Sequence, residues 1–209
     1  MSRAFQIENI TTHEFDYNFL MGQLKGYADP WGKISELLKQ NKIIRVKKGL
    51  YILGPSSKSS TSLMTLANMI FGPSYVSREF ALSHYGLIPE RVHILTSVTP
   101  KRHKVFDTPV GVFDYAHLPM NAYNIGYQRV ELDPSRAYLI ASPEKALADL
   151  VSRLKPFENI HTFRDYLSHD LRIDTSSLRD FSLARIQSIA SRFRLDNVRY
   201  LFSLVGELK

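Results

Sequence analysis

The side chains best suited to chemistry in this chain are cations, and the first group of them is dense. Lys33, Lys39, Lys42, Arg45, Lys47 and Lys48 put six positive charges between positions 33 and 48, where Glu36 is the single acid. Ser35 and Gln40 lie among them and both donate and accept hydrogen bonds. Such a set breaks no bonds; its chemistry is recognition. Lysine and arginine neutralise phosphates, and polar side chains near a helix start reach base edges in a groove. Lys33, Ser35 and Glu36 are the residues expected at base edges, Lys39 is expected at a phosphate, and Gln40 could also reach the groove. Arg45, Lys47 and Lys48 suit phosphates or a minor groove. The plainer reading of either piece alone is a solvated helix or a charged edge hairpin. The two joined, with Lys-Lys-Gly at the tip, favour a duplex-DNA contact.

A second basic patch is Lys101, Arg102 and Lys104, with His103 between them. A solvated loop is the default, and a contact to nucleic acid or a partner is the sharper option. Ser142-Pro143-Glu144-Lys145 matches Ser-x-x-Lys, which sets a serine one helical turn from a lysine base. No Ser-Asp-Asn or Lys-Thr-Gly completes such a site, and Ser142 is better explained as a helix cap before Pro143. The seven histidines form no His-Glu-x-x-His and no i, i+4 pair. Cysteine is absent, which removes disulfides, thiolate metal sites and cysteine nucleophiles. Asp107, Asp114, Glu131 and Asp133 match no metal spacing. The expectation is therefore a non-enzyme with no catalytic residues, no metal and no cofactor.

The elements that must position the first cluster are legible. Asp29 is a good N-cap and Pro30 suits the first helical position. Trp31, Ile34, Leu37 and Leu38 then recur at helical spacing, which assigns Trp31 to the packed side. After Asn41, Ile44, Val46, Leu50 and Ile52 alternate with Arg45, Lys47 and Tyr51, as in a two-stranded ribbon. Lys48-Gly49 is the expected turn, because glycine takes positive φ. Phe15, Phe19, Leu20 and Leu24 predict a support helix over about residues 12–27, ended near Gly26.

The whole chain has 209 residues, is 44% hydrophobic and 22% charged, and carries a formal charge of +7. That suits one or two domains with a real core and a polyanionic partner. It has neither an apolar run long enough for a membrane span nor a signal-peptide core, so a cytoplasmic place is expected. The Ser-rich stretch 55–62 predicts a linker between residues 1–54 and a larger mixed unit, 63–209. Helices are expected at 63–70, from Ser77 to Gly86, after Ser142-Pro143, and over 159–168, 182–192 and 195–205. Strands are expected at 92–98, 104–106, 110–115, 126–132 and 137–141. Without regular βαβ alternation, the fold class is α+β: an N-terminal winged helix-turn-helix followed by a larger α+β unit ending in helices.

Three segments in this order, IIRVKKGLYIL (43–53), YVSREFALSHYGLIPE (75–90) and AYLIASPEKALADLV (137–151), make the chain resemble the AbiEi-type antitoxin and transcriptional-regulator family of abortive-infection systems. The resemblance covers most of the length; the Ser-rich stretch and 117–135 match no pattern, and the C-terminal helices are weakly diagnostic. It implies a type IV antitoxin that autoregulates its operon by binding promoter inverted repeats in double-stranded DNA. It also implies a C-terminal unit that opposes a nucleotidyltransferase-like toxin without a stable complex. Dimerisation or cooperative loading on DNA would supply affinity that one winged helix lacks. The rival readings are a stand-alone defence regulator, a module binding RNA or protein through its C-terminal unit, and a nucleic-acid-processing enzyme.

Overall fold

Residues 10, 12–55 and 61–209 are described in a computed structural model. Among them the chain opens with β1 (Glu14–Asp16) and α1 (Tyr17–Gln23), then α2 (Pro30–Lys39) and a hairpin of β2 (Ile43–Lys47) and β3 (Leu50–Leu53). There follow α3 (Leu63–Ile70), β4 (Tyr75–Val76), α4 (Arg78–His84), β5 (Leu95–Thr99), β6 (Lys104–Thr108), β7 (Gly111–His117) and α5 (Met120–Tyr123). Next come β8 (Tyr127–Asp133), β9 (Arg136–Ala141), α6 (Pro143–Val151), α7 (Ile160–Asp165), α8 (Leu183–Phe193) and α9 (Asp196–Glu207). The fold is mixed α+β. No helix of the described residues is long and apolar enough to cross a membrane.

The first sheet has the order β1-β3-β2, all antiparallel. The second, β6-β7-β5-β4-β9-β8, is mixed: β5 runs parallel to β7 and β4 to β9, and the other pairs are antiparallel. The five longer strands lie close to their expected positions. The two-residue β4 was not anticipated; it is too short to show a period.

The support helix expected over 12–27 is a correction. Residues 14–16 are a strand, because Phe15 pairs with Tyr51 across β3. The helix starts only after Asp16, whose side chain accepts from the Phe19 N–H at 2.8 Å as an N-cap. Phe15 and Phe19 satisfy a helical spacing and their tilted rings still lie 5.8 Å apart between centres, so periodicity alone misassigned the first of them.

β3 explains how the parts are joined. All four of its residues are buried. Successive side chains of a strand point to opposite faces. Leu50 and Ile52 join the large core of the second sheet and its helices, with Val46 of β2. Tyr51 and Leu53 join a smaller core with Phe15, Leu20, Leu24, Ile34, Leu37 and Ile43. The first sheet is thus apolar on both faces. Two polar links reinforce the seam: Arg136 lies 3.5 Å from Glu14, and Lys47 Nζ donates to the carbonyl of Ile70. Of the expected linker, 56–60 lie outside the described residues; its last residue, Ser62, caps α3 and donates its N–H to Glu14.

His13 is buried at this seam, and burial, helped by Arg136 and opposed by Glu14, holds its imidazole below the usual value. The unfolded chain therefore takes up the proton first. Stability is present above the unfolded pKa of about 6.5 and is lost as pH falls through the lower folded value. Urea unfolding at about pH 7.5 and about pH 5.5 brackets the ordinary histidine pKa. Wild type should lose more stability between them than His13→Gln. Parallel losses would place the sensitivity elsewhere.

Candidate nucleic-acid interface

The helix that carries the reading residues is built locally. Asp29 accepts from the Gly32 N–H at 2.9 Å, and Pro30 occupies the first turn. Ile34 and Leu37 are buried and Leu38 is half-buried, so these three of the expected apolar stripe face the smaller core, whereas Trp31, expected on the packed side, is exposed because nothing but the Tyr17 ring lies against it among the described residues. The opposite face carries Ser35, Glu36, Lys39 and Gln40, all exposed. Lys33 sits at its edge, half-covered, with its ammonium 5.6 Å from the Tyr27 ring centre and 2.9 Å from Glu36. That contact raises the Lys33 pKa and lowers that of Glu36. Gln40 donates to the same carboxylate at 3.0 Å. Lys33, Glu36 and Gln40 therefore form one polar cluster, and Lys39 stands free of any ion pair among the described residues.

The hairpin turns as expected, with Lys47 opposite Leu50 and Gly49 at φ +83°. The tip is held against the start of α1 by the Tyr17 N–H, which donates to the Gly49 carbonyl at 2.9 Å. Lys48 is exposed at the tip, and exposed Arg45 has its guanidinium 5.7 Å from the Tyr51 ring centre.

Lys47 departs from the role expected of it. Its ammonium bonds the Ile70 carbonyl at the end of α3 and lies 5.9 Å from the Phe106 ring centre. Burial, then the neighbouring Lys104 and Lys101 charges, hold its pKa below the usual lysine value. The last carbonyls of a helix lack intrahelical partners and attract cations. Lys47 meets that need and clamps the hairpin to α3.

The same end of α3 gathers the second basic patch. Lys101 Nζ donates to the Gly72 carbonyl and stands 5.1 Å from the centre of the Phe71 ring. Lys104 lies 4.8 Å from the Phe106 centre and 5.8 Å from that of Phe71. Lys47, Lys101 and Lys104, far apart in sequence, are thus neighbours in space, while Arg102 is exposed on the loop between the latter two.

Two further sites were not legible as such. Lys145 and Asp149 form a fully buried ion pair on α6. Ser77 Oγ donates to Asp149 at 2.6 Å and the Tyr75 hydroxyl at 3.2 Å. Ser142 accepts from the Lys145 N–H at 3.3 Å as the cap of α6, while the Lys145 ammonium is committed to Asp149. The Ser-x-x-Lys spacing here builds a helix start and a core, with no base aimed at the serine. Arg78 takes φ +60°, a strained conformation for a non-glycine residue. It donates to Asp114 at 2.8 Å, and His103 contacts the other oxygen of that carboxylate at 2.8 Å. Beside them Val92, Ile94, Val105 and Val112 line an open groove of about 520 Å³. The alternation of Val105 with Lys104 and Phe106 hinted at two faces there. Among the described residues, no group of three or more histidines and carboxylates could hold a metal ion.

No family model matches the chain, and no curated protein does. Among solved structures it is similar to the RV2827C protein from Mycobacterium tuberculosis, with a TM-score of 0.64 at 16% identity, over 97% of this chain and 75% of that one. At that identity the likeness speaks for the fold alone.

Proposed function

We propose that this protein is a sequence-selective duplex-DNA-binding repressor, non-enzymatic and cytoplasmic, of the AbiEi-type antitoxin kind. The supporting observation is a shared surface. The first turn of α2, at Trp31, packs on Tyr17, whose N–H holds the hairpin tip with Lys48, and Ser35, Glu36, Lys39 and Gln40 are exposed along the same helix. The order β1–α1–α2–β2–β3 with strand order β1-β3-β2 supports reading residues up to Leu53 as a winged helix-turn-helix, α2 entering the major groove and the tip lying on phosphates. Promoter inverted repeats would be occupied by two copies, since one winged helix makes few contacts. The larger unit would oppose a nucleotidyltransferase-like toxin, without a stable complex.

The test is filter binding of the protein to its own upstream DNA against scrambled DNA at two salt concentrations. A preference for the upstream fragment that survives the higher salt is expected. Lys48→Ala and Arg45→Ala should each reduce the salt slope by about 0.9. Lys47→Ala should act mainly on stability. Substitutions at Lys33 or Glu36 should change the preferred sequence in a selection experiment. Equal binding to both fragments that salt erases would sink the reading and leave a merely basic protein.

A second reading, a module that holds RNA or protein on its larger unit, is favoured by the groove beside Arg78 and Asp114. Co-purification of RNA or of a neighbouring gene product, abolished by Val105→Asp, would favour it.

A further inference from the structure

Trp31 is the sole tryptophan, and it lies in the open. The helical period assigns it to the packed side, yet it is 64% exposed. Among the described residues one ring backs it, that of Tyr17, at 5.3 Å between centres and tilted by 31°. Tyr17 is in turn the residue that holds the hairpin tip. Trp31 therefore stands between the outer face of α2 and the cationic wing. On α2 it heads the row Trp31, Ser35, Lys39, spaced four residues apart and exposed throughout. Ser35 Oγ donates to the Trp31 carbonyl at 3.0 Å, which draws Ser35 back along that row.

Covering the exposed part of a large apolar side chain by a partner is favourable by roughly 25 cal/mol per Å². The charge around it selects the partner. Lys33, Lys39, Lys42, Arg45 and Lys48 on α2 and the hairpin outnumber Asp16, Asp29 and Glu36, and these acids are already matched by the Phe19 N–H, the Gly32 N–H and Lys33. That complements a polyanion better than a second copy of the same cationic face.

We propose that Trp31, braced by Tyr17, is the apolar reader of this surface: it seats against thymine methyl groups in the major groove. This rests on α2 entering the groove, and it assigns a preference for thymine to a residue at the first turn, where helix-turn-helix proteins meet base edges. The thymine 5-methyl is the one apolar group that the major groove displays, and it distinguishes thymine from every other base there.

A single tryptophan makes the test direct. The full chain is titrated with a duplex from its own upstream DNA, and with the same duplex carrying uracil for thymine, while Trp31 fluorescence and gel shift are both recorded. The expected results are a change in Trp31 emission on binding and a roughly fourfold loss of affinity for each covered methyl removed. In Trp31→Ala the thymine and uracil duplexes should bind alike. Gel shift without any change in emission, or a thymine preference that persists in Trp31→Ala, overturns the assignment and leaves DNA binding by the other residues intact. Emission that changes with protein concentration in the absence of DNA places Trp31 in an interface between copies, and also overturns it. Absence of a shift with either duplex removes the DNA reading and this inference with it.

Discussion

Asp149→Ala is expected to lower the unfolding free energy by about 3–5 kcal/mol, a large part of the total for a domain of this size. The Asp149 carboxylate is completely buried, and so is the Lys145 ammonium beside it. The ammonium also lies 4.6 Å from the Phe193 ring centre and 5.4 Å from that of Tyr75. Burial pushes the Asp149 pKa up and the Lys145 pKa down, while each partner pulls the other back toward its charged form. Removing the aspartate strands the lysine in an apolar core and leaves the hydroxyls of Ser77 and Tyr75 without their acceptor. Lys145→Met should cost a similar amount. The double variant, Lys145→Met with Asp149→Leu, should recover much of both losses, because no isolated charge then remains. Urea unfolding of the four proteins closes the cycle. Single losses under about 1 kcal/mol, or a double loss equal to their sum, would show that the pair is not coupled as described.

Ile52→Ala should remove about 2–5 kcal/mol as a buried large-to-small substitution, and it should also loosen the bond between the two cores. The reason is the alternation of β3. Ile52 and Leu50 belong to the larger core and Tyr51 and Leu53 to the smaller, so neither core can open without disturbing the strand. In the wild type, Trp31 fluorescence, which reports on α2, and far-ultraviolet circular dichroism, which is dominated by the helices of the larger unit, should report one transition. In Ile52→Ala the Trp31 signal should move to lower urea than the dichroism. Separate transitions in the wild type would contradict the shared strand; coincident ones in the variant would show that the Glu14–Arg136 and Lys47–Ile70 links suffice.

The legible parts of this molecule are those where short-range chemistry decides. Asp29 and Pro30 start α2, Lys48-Gly49 turns the hairpin, and Ser142-Pro143 starts α6, each through contacts within four residues. The strands of the second sheet announced themselves by alternation and by turn residues. Phe15 shows the limit: its spacing fits a helix, and only a partner 36 positions away, Tyr51, makes it a strand residue. Trp31 shows another. Period assigns it to the packed side, but whether anything covers it there depends on where the neighbouring elements lie.

The candidate site divides in the same way. Lys33, Ser35, Glu36, Lys39 and Gln40 were recoverable because a helix with one apolar face must present the other. Arg45 and Lys48 were recoverable from the hairpin. Lys47 alternates correctly and is still diverted, since a register irregularity between Arg45 and Lys47 and the open carbonyls at the end of α3 draw it to the seam. Nothing near Lys47 in sequence names Ile70, Lys101 or Lys104.

The sequence by itself determined the mixed α+β character, the capped helix, the Lys-tipped hairpin and the excess of positive charge, because capping, period and charge are properties of adjacent residues. Tertiary structure alone decided that β3 serves two cores, that Lys47 is a clamp, that Lys145 and Asp149 are buried together and that Trp31 is left in the open. Each of these depends on which elements meet across long stretches of chain, and a local period specifies a face without specifying its cover.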